Sequence, residues 1–370
     1  MGSEGSWDSV LTVSGCLLLL LGLSDTALTV LHPTRRGPLS YAISRSTWIL
    51  IRTLSRKRGG TRLLTFAGPA AMAGGFLGWI GSLWVGFALV YLPFIDQFTY
   101  SEPATFRSKG ITEALYMSAV SLTTVGFGDV VASSDVLRLV TVAESASGLA
   151  AITAAITYLL SVYPLVTRQR GAALHVSDLG LTDPAQVVRT VVQGGPTIVI
   201  NLQNALIEAH QNVTRFPVLY DFHPDRPEES TNRLVRAGIV VCLVLRWGVR
   251  QNTDRVPVVL GPALEATVLR VVDDYDTNYV AGRSHHGGLP PPLDPAEAAA
   301  RLSRLRGQVA SAVPGLQATG QNVPKEFGRF LAWAEARLGR LAVEHGFGEE
   351  AVLVGTGPEE TAVGTLDDSG

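Results

Sequence analysis

The sequence predicts an all-α membrane protein with a helical, water-soluble domain at its C-terminal end. Three observations lead there. Three apolar stretches are each long enough to cross a bilayer, and charged residues make up only 17 % of the 370, against about 25 % in soluble proteins. Beyond residue 168 the composition turns polar while helical periodicity continues. The low charge and positive mean hydropathy exclude a disordered chain and an ordinary soluble enzyme. With only two cysteines, Cys16 and Cys242, a disulfide framework or a cysteine-rich metal site is excluded as well.

A span needs roughly 20 apolar residues at about 1.5 Å each. The first is expected over about residues 10–31 of an N-terminal segment 1–31, centred on the run Leu17 to Leu21. Its leader, Met1 to Asp8, holds two acids and no base. That is opposite to the basic start of a cleavable signal, so the helix is expected to be retained. Asp25 is expected near the interface, reaching water or pairing with Arg35 or Arg36. The second span, residues 66–95, lies in a stretch without charge between Arg62 and Asp96. The third, residues 136–165, is free of charge from Ser145 to Thr167.

Loop charge sets the expected orientation. The linker 32–65 carries eight basic residues and no acid, so it is expected in the cytoplasm. The N-terminus then lies outside, and the third span returns to the cytoplasm at Arg168 and Arg170. Within the linker, Tyr41, Ile43, Trp48, Ile49, Ile51, Arg52 and Leu54 suggest a cationic helix along the inner membrane surface. A plain basic connector that only sets topology is the other reading.

Between the second and third spans, residues 111–123 form an apolar run too short to cross. Thr112 and Glu113 stand where an N-cap and a first-turn acid belong. The pattern predicts a short helix that enters the membrane and ends inside it, its C-terminal carbonyls favouring a cation there. Next comes Thr124-Val125-Gly126-Phe127-Gly128-Asp129. Stripping water from a cation demands closely spaced oxygens along a narrow axis. A ribbon with its carbonyls turned to one side supplies them, provided alternate residues adopt backbone angles that glycine reaches at little cost. Gly126 and Gly128 hold alternate positions. Val125 and Phe127 are then expected to point away from the axis. The carbonyls of Thr124, Val125, Gly126 and Phe127, with the Thr124 hydroxyl, are expected to line successive ion sites.

This ribbon, preceded by a short re-entrant helix and flanked by two spans, resembles the filter of the potassium channel family. The likeness is to bacterial channels built from an outer helix, a pore loop and an inner helix. It covers residues 66–170. It implies a tetrameric potassium-channel pore with outer helix 66–95, pore helix 111–123, filter 124–129 and inner helix 136–165. Potassium would bind at Thr124, Val125, Gly126 and Phe127, with Gly128 completing the ribbon. Phe127 departs from the commoner tyrosine, a change that occurs in the family. Asp129 resembles the acid at the family's outer mouth. Tyr116 stands where an aromatic often bonds behind the filter, so it either hydrogen-bonds Asp129 or simply packs. Val120 falls where some members carry a carboxylate, and filter inactivation depending on that acid is not expected here.

Further along, Gly148 resembles the gating glycine of the inner helix, close helix packing being its other reading. Ile152, Ile156 and Leu160 repeat on one face below it, as cavity lining or as packing residues. Glu144, the one charge deep in a span, is read as a brace behind the filter, within reach of Ser118, Ser121 or Thr123, direct cation binding being its other reading. One chain supplies one pore loop and four must surround an ion, so the resemblance implies a homotetramer in the lipid bilayer.

Residues 171–370 are expected to form a helical cytoplasmic domain, periodic over 185–193, 197–211, 229–249, 263–279, 295–313 and 323–345. The apolar run Ala237 to Leu245 is too short to span and is expected as a core helix. Asp274-Tyr275-Asp276-Thr277-Asn278 begins like a calcium loop but lacks its glycine and closing acid. His223, His285 and His286 are read as solvated loop histidines rather than metal ligands. No phosphate loop, catalytic triad or nucleic-acid module occurs, and no regulatory ligand is legible. The resemblance therefore implies a potassium-selective channel of a bacterial plasma membrane rather than an enzyme, with K+ as permeant ion and no cofactor. A nonselective cation channel, a potassium-transporter subunit, or a membrane sensor or scaffold with a vestigial pore are the alternatives.

Overall fold

The computed structural model describes residues 4–32, 37–58, 61–100, 110–249, 260–280, 290–313, 325–345 and 353. The protein is an all-α membrane protein. Among the described residues the helices are α1 (Glu4–Leu31), α2 (Pro38–Arg58), α3 (Ala67–Tyr91), α4 (Ile111–Leu122), α5 (Asp135–Asp178), α6 (Pro184–Gly194), α7 (Pro196–Arg215), α8 (Thr231–Leu243), α9 (Leu260–Tyr275), α10 (Pro295–Ala312) and α11 (Lys325–His345). Two short strands, β1 (Phe98–Tyr100) and β2 (Val130–Ala132), pair antiparallel with Thr99 opposite Val131. Among the described residues three stretches are long and apolar enough to cross a membrane: Trp7–Leu31, Leu63–Gln97 and Asp135–Asp178.

The chain divides into two units, residues 1–165 with 214–222, and residues 166–213 with 223–370. This differs from a single break after residue 170. Position 171 falls inside α5, which continues to Asp178: Gly171 stays helical, and the left-handed glycine that follows the helix is Gly180, with φ of 65°. The segment 214–222 also folds with the first unit.

In the first unit α1 packs antiparallel on α3 through glycines. A Cβ at Gly15 would lie 2.7 Å from the Gly86 carbonyl oxygen, so the two backbones meet where a side chain would hold them apart. Asp25 differs from expectation. It is fully buried rather than interfacial. Its Oδ1 accepts the Leu39 N–H at 2.7 Å, and its Oδ2 accepts the Ser40 hydroxyl at 2.5 Å and the Trp79 indole N–H at 2.9 Å. The carboxylate thus caps the open N-terminus of α2 from a neighbouring helix, satisfying amides that have no partner within the helix itself. Arg35 and Arg36 lie outside the described residues.

A core of Leu83, Phe87, Tyr91, Met117, Leu122 and Leu137 packs α3, α4 and α5 together. The β1–β2 pair fastens the chain just after the ribbon to the chain just after α3, and Ser133 N–H adds a bond to the Gln97 carbonyl at 2.9 Å.

The second unit is helical. α8 runs through its centre, with Ala237, Ile239, Val241, Leu243 and Leu245 each no more than 1 % exposed, as expected for a short apolar core helix. Asp274 and Asp276 belong to the end of α9 and the π turn Asp276–Val280, not to an open loop. Asp276 is bonded by Arg337 and by Arg340, whose Nε lies 2.7 Å away. Asp274 faces His210 Nε2 at 2.9 Å. These carboxylates are committed to side chains of the protein. Among the described residues no cluster of histidines, cysteines and acids suits a metal ion. His223 is buried, and His285 and His286 lie outside the described residues.

Candidate functional site

The site is built on the C-terminal end of α4. Its first turn carries Glu113, as expected for the positive end of a helix. The N-cap is Gly110 in extended conformation, so Thr112 is the second residue of the helix rather than its cap. At the other end the chain folds back on the helix. The Thr123 N–H reaches the Ala119 carbonyl at 3.0 Å, and the Thr124 N–H reaches that of Ser121 at 3.0 Å. The Val125 and Gly126 N–H groups both turn to the Val120 carbonyl, at 3.0 and 3.5 Å.

The backbone beyond alternates. Thr124, Gly126 and Gly128 have φ of 58°, 56° and 75°, while Val125 and Phe127 do not enter the positive region. Such alternation places successive N–H groups on one edge of a ribbon and successive carbonyls on the other. The edge bearing the N–H groups of Val125 and Gly126 faces α4, so the carbonyl edge faces away from it. Glycine reaches these angles at almost no cost. Thr124 is the exception, and a non-glycine residue in the left-handed region costs about 1–2 kcal/mol. Sequence reasoning found the two glycines and missed the third member of the series, because nothing in a threonine announces a left-handed backbone.

Val125 and Phe127 are 53 % and 70 % exposed in the single chain. Past the ribbon, the Tyr116 hydroxyl donates to Asp129 Oδ2 at 2.8 Å, the first of the two readings of Tyr116. These two residues hold the ribbon's outer end to the middle of α4.

Behind α4 lies a polar knot. Glu144 on α5 is fully buried. Its Oε2 accepts the Tyr91 hydroxyl at 2.6 Å, and its Oε1 lies 2.5 Å from the Ser118 Oγ. Ser118 Oγ is also 2.8 Å from the Trp84 carbonyl, and the Trp84 indole N–H donates to the Leu115 carbonyl at 2.8 Å. Ser145 donates to the Ser121 carbonyl at 2.9 Å. One buried carboxyl therefore joins α3, α4 and α5. Of its expected partners Ser118 meets it, whereas Ser121 and Thr123 do not. Tyr91 and Trp84 were missed. Their signal was present, since a phenol or indole inside an apolar span needs a hydrogen-bond partner.

Gly148 sits where α5 crosses the end of α4. A Cβ there would run into the Leu122 carbonyl oxygen, and α5 remains helical through this position. Close packing alone accounts for a glycine at 148. Ile152, Ile156 and Leu160 are 41 %, 53 % and 69 % exposed, so packing within the chain does not use that face fully. Lower in α5, Pro164 lies inside the helix. It lacks an N–H and leaves the Leu160 carbonyl without its usual donor, a local weakness.

Residues 77–163, which hold the ribbon, α4 and most of α5, match the model of a family described as "Ion channel". The chain is also similar to an uncharacterized membrane protein, YdjJ, of Bacillus subtilis (strain 168). The two are 26 % identical over 246 residues, covering 65 % of this chain and 71 % of that one. No solved structure gives a significant match.

Proposed function

Because residues 77–163 match the model of a family described as "Ion channel", we propose that this protein is a potassium-selective channel in which four chains place their 124–128 ribbons around one axis. The observation that carries the reading is the alternation of φ at Thr124, Gly126 and Gly128, with the Val125 and Gly126 N–H groups turned to the Val120 carbonyl. Backbone oxygens of Thr124, Val125, Gly126 and Phe127 then replace the water shell of K+, and the Thr124 hydroxyl adds the innermost ligand. The negative end of the α4 dipole points the same way, and Asp129 gathers cations at the mouth. Conduction is passive, with K+ as the permeant ion and no cofactor.

A homotetramer supports this chemistry, since one ribbon offers an ion only one side of a ligand cage. It also gives a place to Val125 and Phe127, which need a neighbouring chain to cover them. Tyr116, Asp129 and the Glu144 knot hold the ribbon. Ile152, Ile156 and Leu160 line the cavity below, and Gly148 lets α5 pack closely on the end of α4. The bases of residues 32–65 favour a cytoplasmic side for that linker and the C-terminal unit, in a bacterial plasma membrane with the N-terminus outside.

Purified protein in liposomes tests the proposal. A potassium gradient drives flux, barium blocks it, and crosslinking runs to four chains. Flux carried equally by sodium would point to a nonselective pore. Absence of flux, or crosslinking that stops at two chains, would leave a scaffold with a vestigial pore.

A further inference from the structure

Residues 216–222 open the connection of residues 216–230 between α7 and α8, outside the helical periodicity of the sequence. They fold instead as part of the first unit, although α7 up to Val213 and all of α8 belong to the second. The centre is a 3-10 turn, Pro217–Asp221, in which Val218, Leu219, Tyr220 and Asp221 are buried. A connecting segment has little reason to bury four consecutive residues unless it is held.

Three helices of the first unit hold it. On α2, the Ser44 hydroxyl donates to Asp221 Oδ2 at 2.7 Å, both groups being buried. On α3, Gly68 leaves room for the Phe222 ring, which a Cβ would approach to 2.6 Å. On α5, Tyr158 meets the Phe216 ring edge-on with centroids 5.6 Å apart, and Tyr163 meets Phe222 at 5.9 Å. The last contact falls beside Pro164, where α5 lacks a backbone hydrogen bond. Immediately beyond the segment, within the second unit, Arg170 donates to the His223 carbonyl at 3.2 Å.

We infer that residues 216–222 are a coupling strap, through which displacement of α7 or α8 is delivered to α5 at its proline and so to the conduction path. This rests on the channel reading above. The strap pulls on α5 directly through Tyr158 and Tyr163 and takes its counter-hold from α2 and α3. Coupling then needs no ligand in the membrane unit, because any event that shifts α7 or α8 reaches α5 through the chain itself. A hydrogen bond to a buried carboxylate and two aromatic contacts give this segment a defined seat, and losing the seat uncouples it.

Ser44→Ala removes the hydroxyl that holds Asp221, and Ser44→Thr keeps it. Full-length protein in planar bilayers reads the gating effect. Ser44→Ala changes open probability about tenfold, the ratio equivalent to losing one such bond, while unit conductance and reversal potential stay unchanged. Ser44→Thr restores the wild-type value. Hydrogen exchange on the same proteins in nanodiscs reads the coupling without any current. Ser44→Ala speeds exchange in α2 near Ser44, in 216–222, and also in α5 around Tyr158 to Tyr163. Faster exchange confined to α2, or an unchanged open probability in a conducting protein, overturns the strap. If wild-type protein carries no current the channel reading fails, and the exchange of α5 still decides whether the segment holds that helix.

Discussion

Tyr116 on α4 and Asp129 at the end of the ribbon are joined by a 2.8 Å hydrogen bond from phenol to carboxylate. The bond closes a loop of thirteen residues across the C-terminal end of α4, so the ribbon is held at both ends. Tyr116→Phe keeps the ring and removes the donor. Steady potassium flux is expected to fall by about threefold to tenfold as the ribbon's outer end loosens. Reversal potential is expected to stay near the wild-type value. Flux assays paired with reversal potentials check this.

The Glu144 knot separates shape from charge. Ser118 has one hydroxyl hydrogen and two oxygens within reach, Trp84 O at 2.8 Å and Glu144 Oε1 at 2.5 Å. A donor on residue 144 toward Ser118 satisfies both, and a glutamine amide supplies one in nearly the same shape. Glu144→Gln is therefore expected to keep the thermal stability and conductance of wild type. Glu144→Ala leaves Tyr91 and Ser118 buried without their partner and should cost about 2–3 kcal/mol, read as a lower unfolding temperature in detergent.

Gly148→Ala distinguishes packing from bending. A Cβ at 148 meets the Leu122 carbonyl oxygen, which belongs to backbone and cannot swing aside. The expected cost is about 1–3 kcal/mol in thermal unfolding, with loss of conductance as the end of α4 is pushed. A bending role alone predicts unchanged stability and altered gating.

The ribbon itself is probed at Thr124. Thr124→Gly relieves a left-handed threonine while removing its hydroxyl. Stability is expected to hold or rise by a fraction of the roughly 1 kcal/mol stored there, while selectivity for potassium over sodium falls. Gly126→Ala imposes the strain that glycine avoids at φ of 56° and is expected to abolish conduction. Single-channel recording and thermal unfolding separate these outcomes.

In the second unit Asp276, with its side chain 6 % exposed, sits between Arg337 and Arg340. Burial already draws the Arg337 guanidinium below its ordinary range, with repulsion from Arg340 adding to it. Asp276→Ala leaves two arginines facing each other in a poorly solvated place, and about 3 kcal/mol of stability is expected to go. Asp276→Asn keeps an acceptor and is expected to lose less. Unfolding of the full-length chain measures both.

Features written in short-range pattern were legible in the sequence. The three spans follow from length and hydropathy, α4 from an apolar run too short to cross, and the glycine spacing at 126 and 128 from one local backbone rule. The helices of the second unit follow from periodicity, and the buried run Ala237 to Leu245 from its bounding arginines. What depends on long-range contact was not legible. Asp25 caps α2 across fourteen residues or more, Tyr91 meets Glu144 across fifty-three, and Ser44 meets Asp221 across one hundred and seventy-seven. No local pattern marks such pairs, since each is set by which helices happen to pack. The two-part division of the chain has the same cause, because 214–222 is recognisable only by what it touches.

The most direct test of four backbone ribbons holding potassium is a reversal potential under bi-ionic conditions. Purified protein is placed in a planar bilayer with potassium on one side and sodium on the other. Current reversing far toward the potassium equilibrium potential, and abolished by barium, is the predicted result. Reversal near zero, with sodium and potassium carried alike, would contradict it.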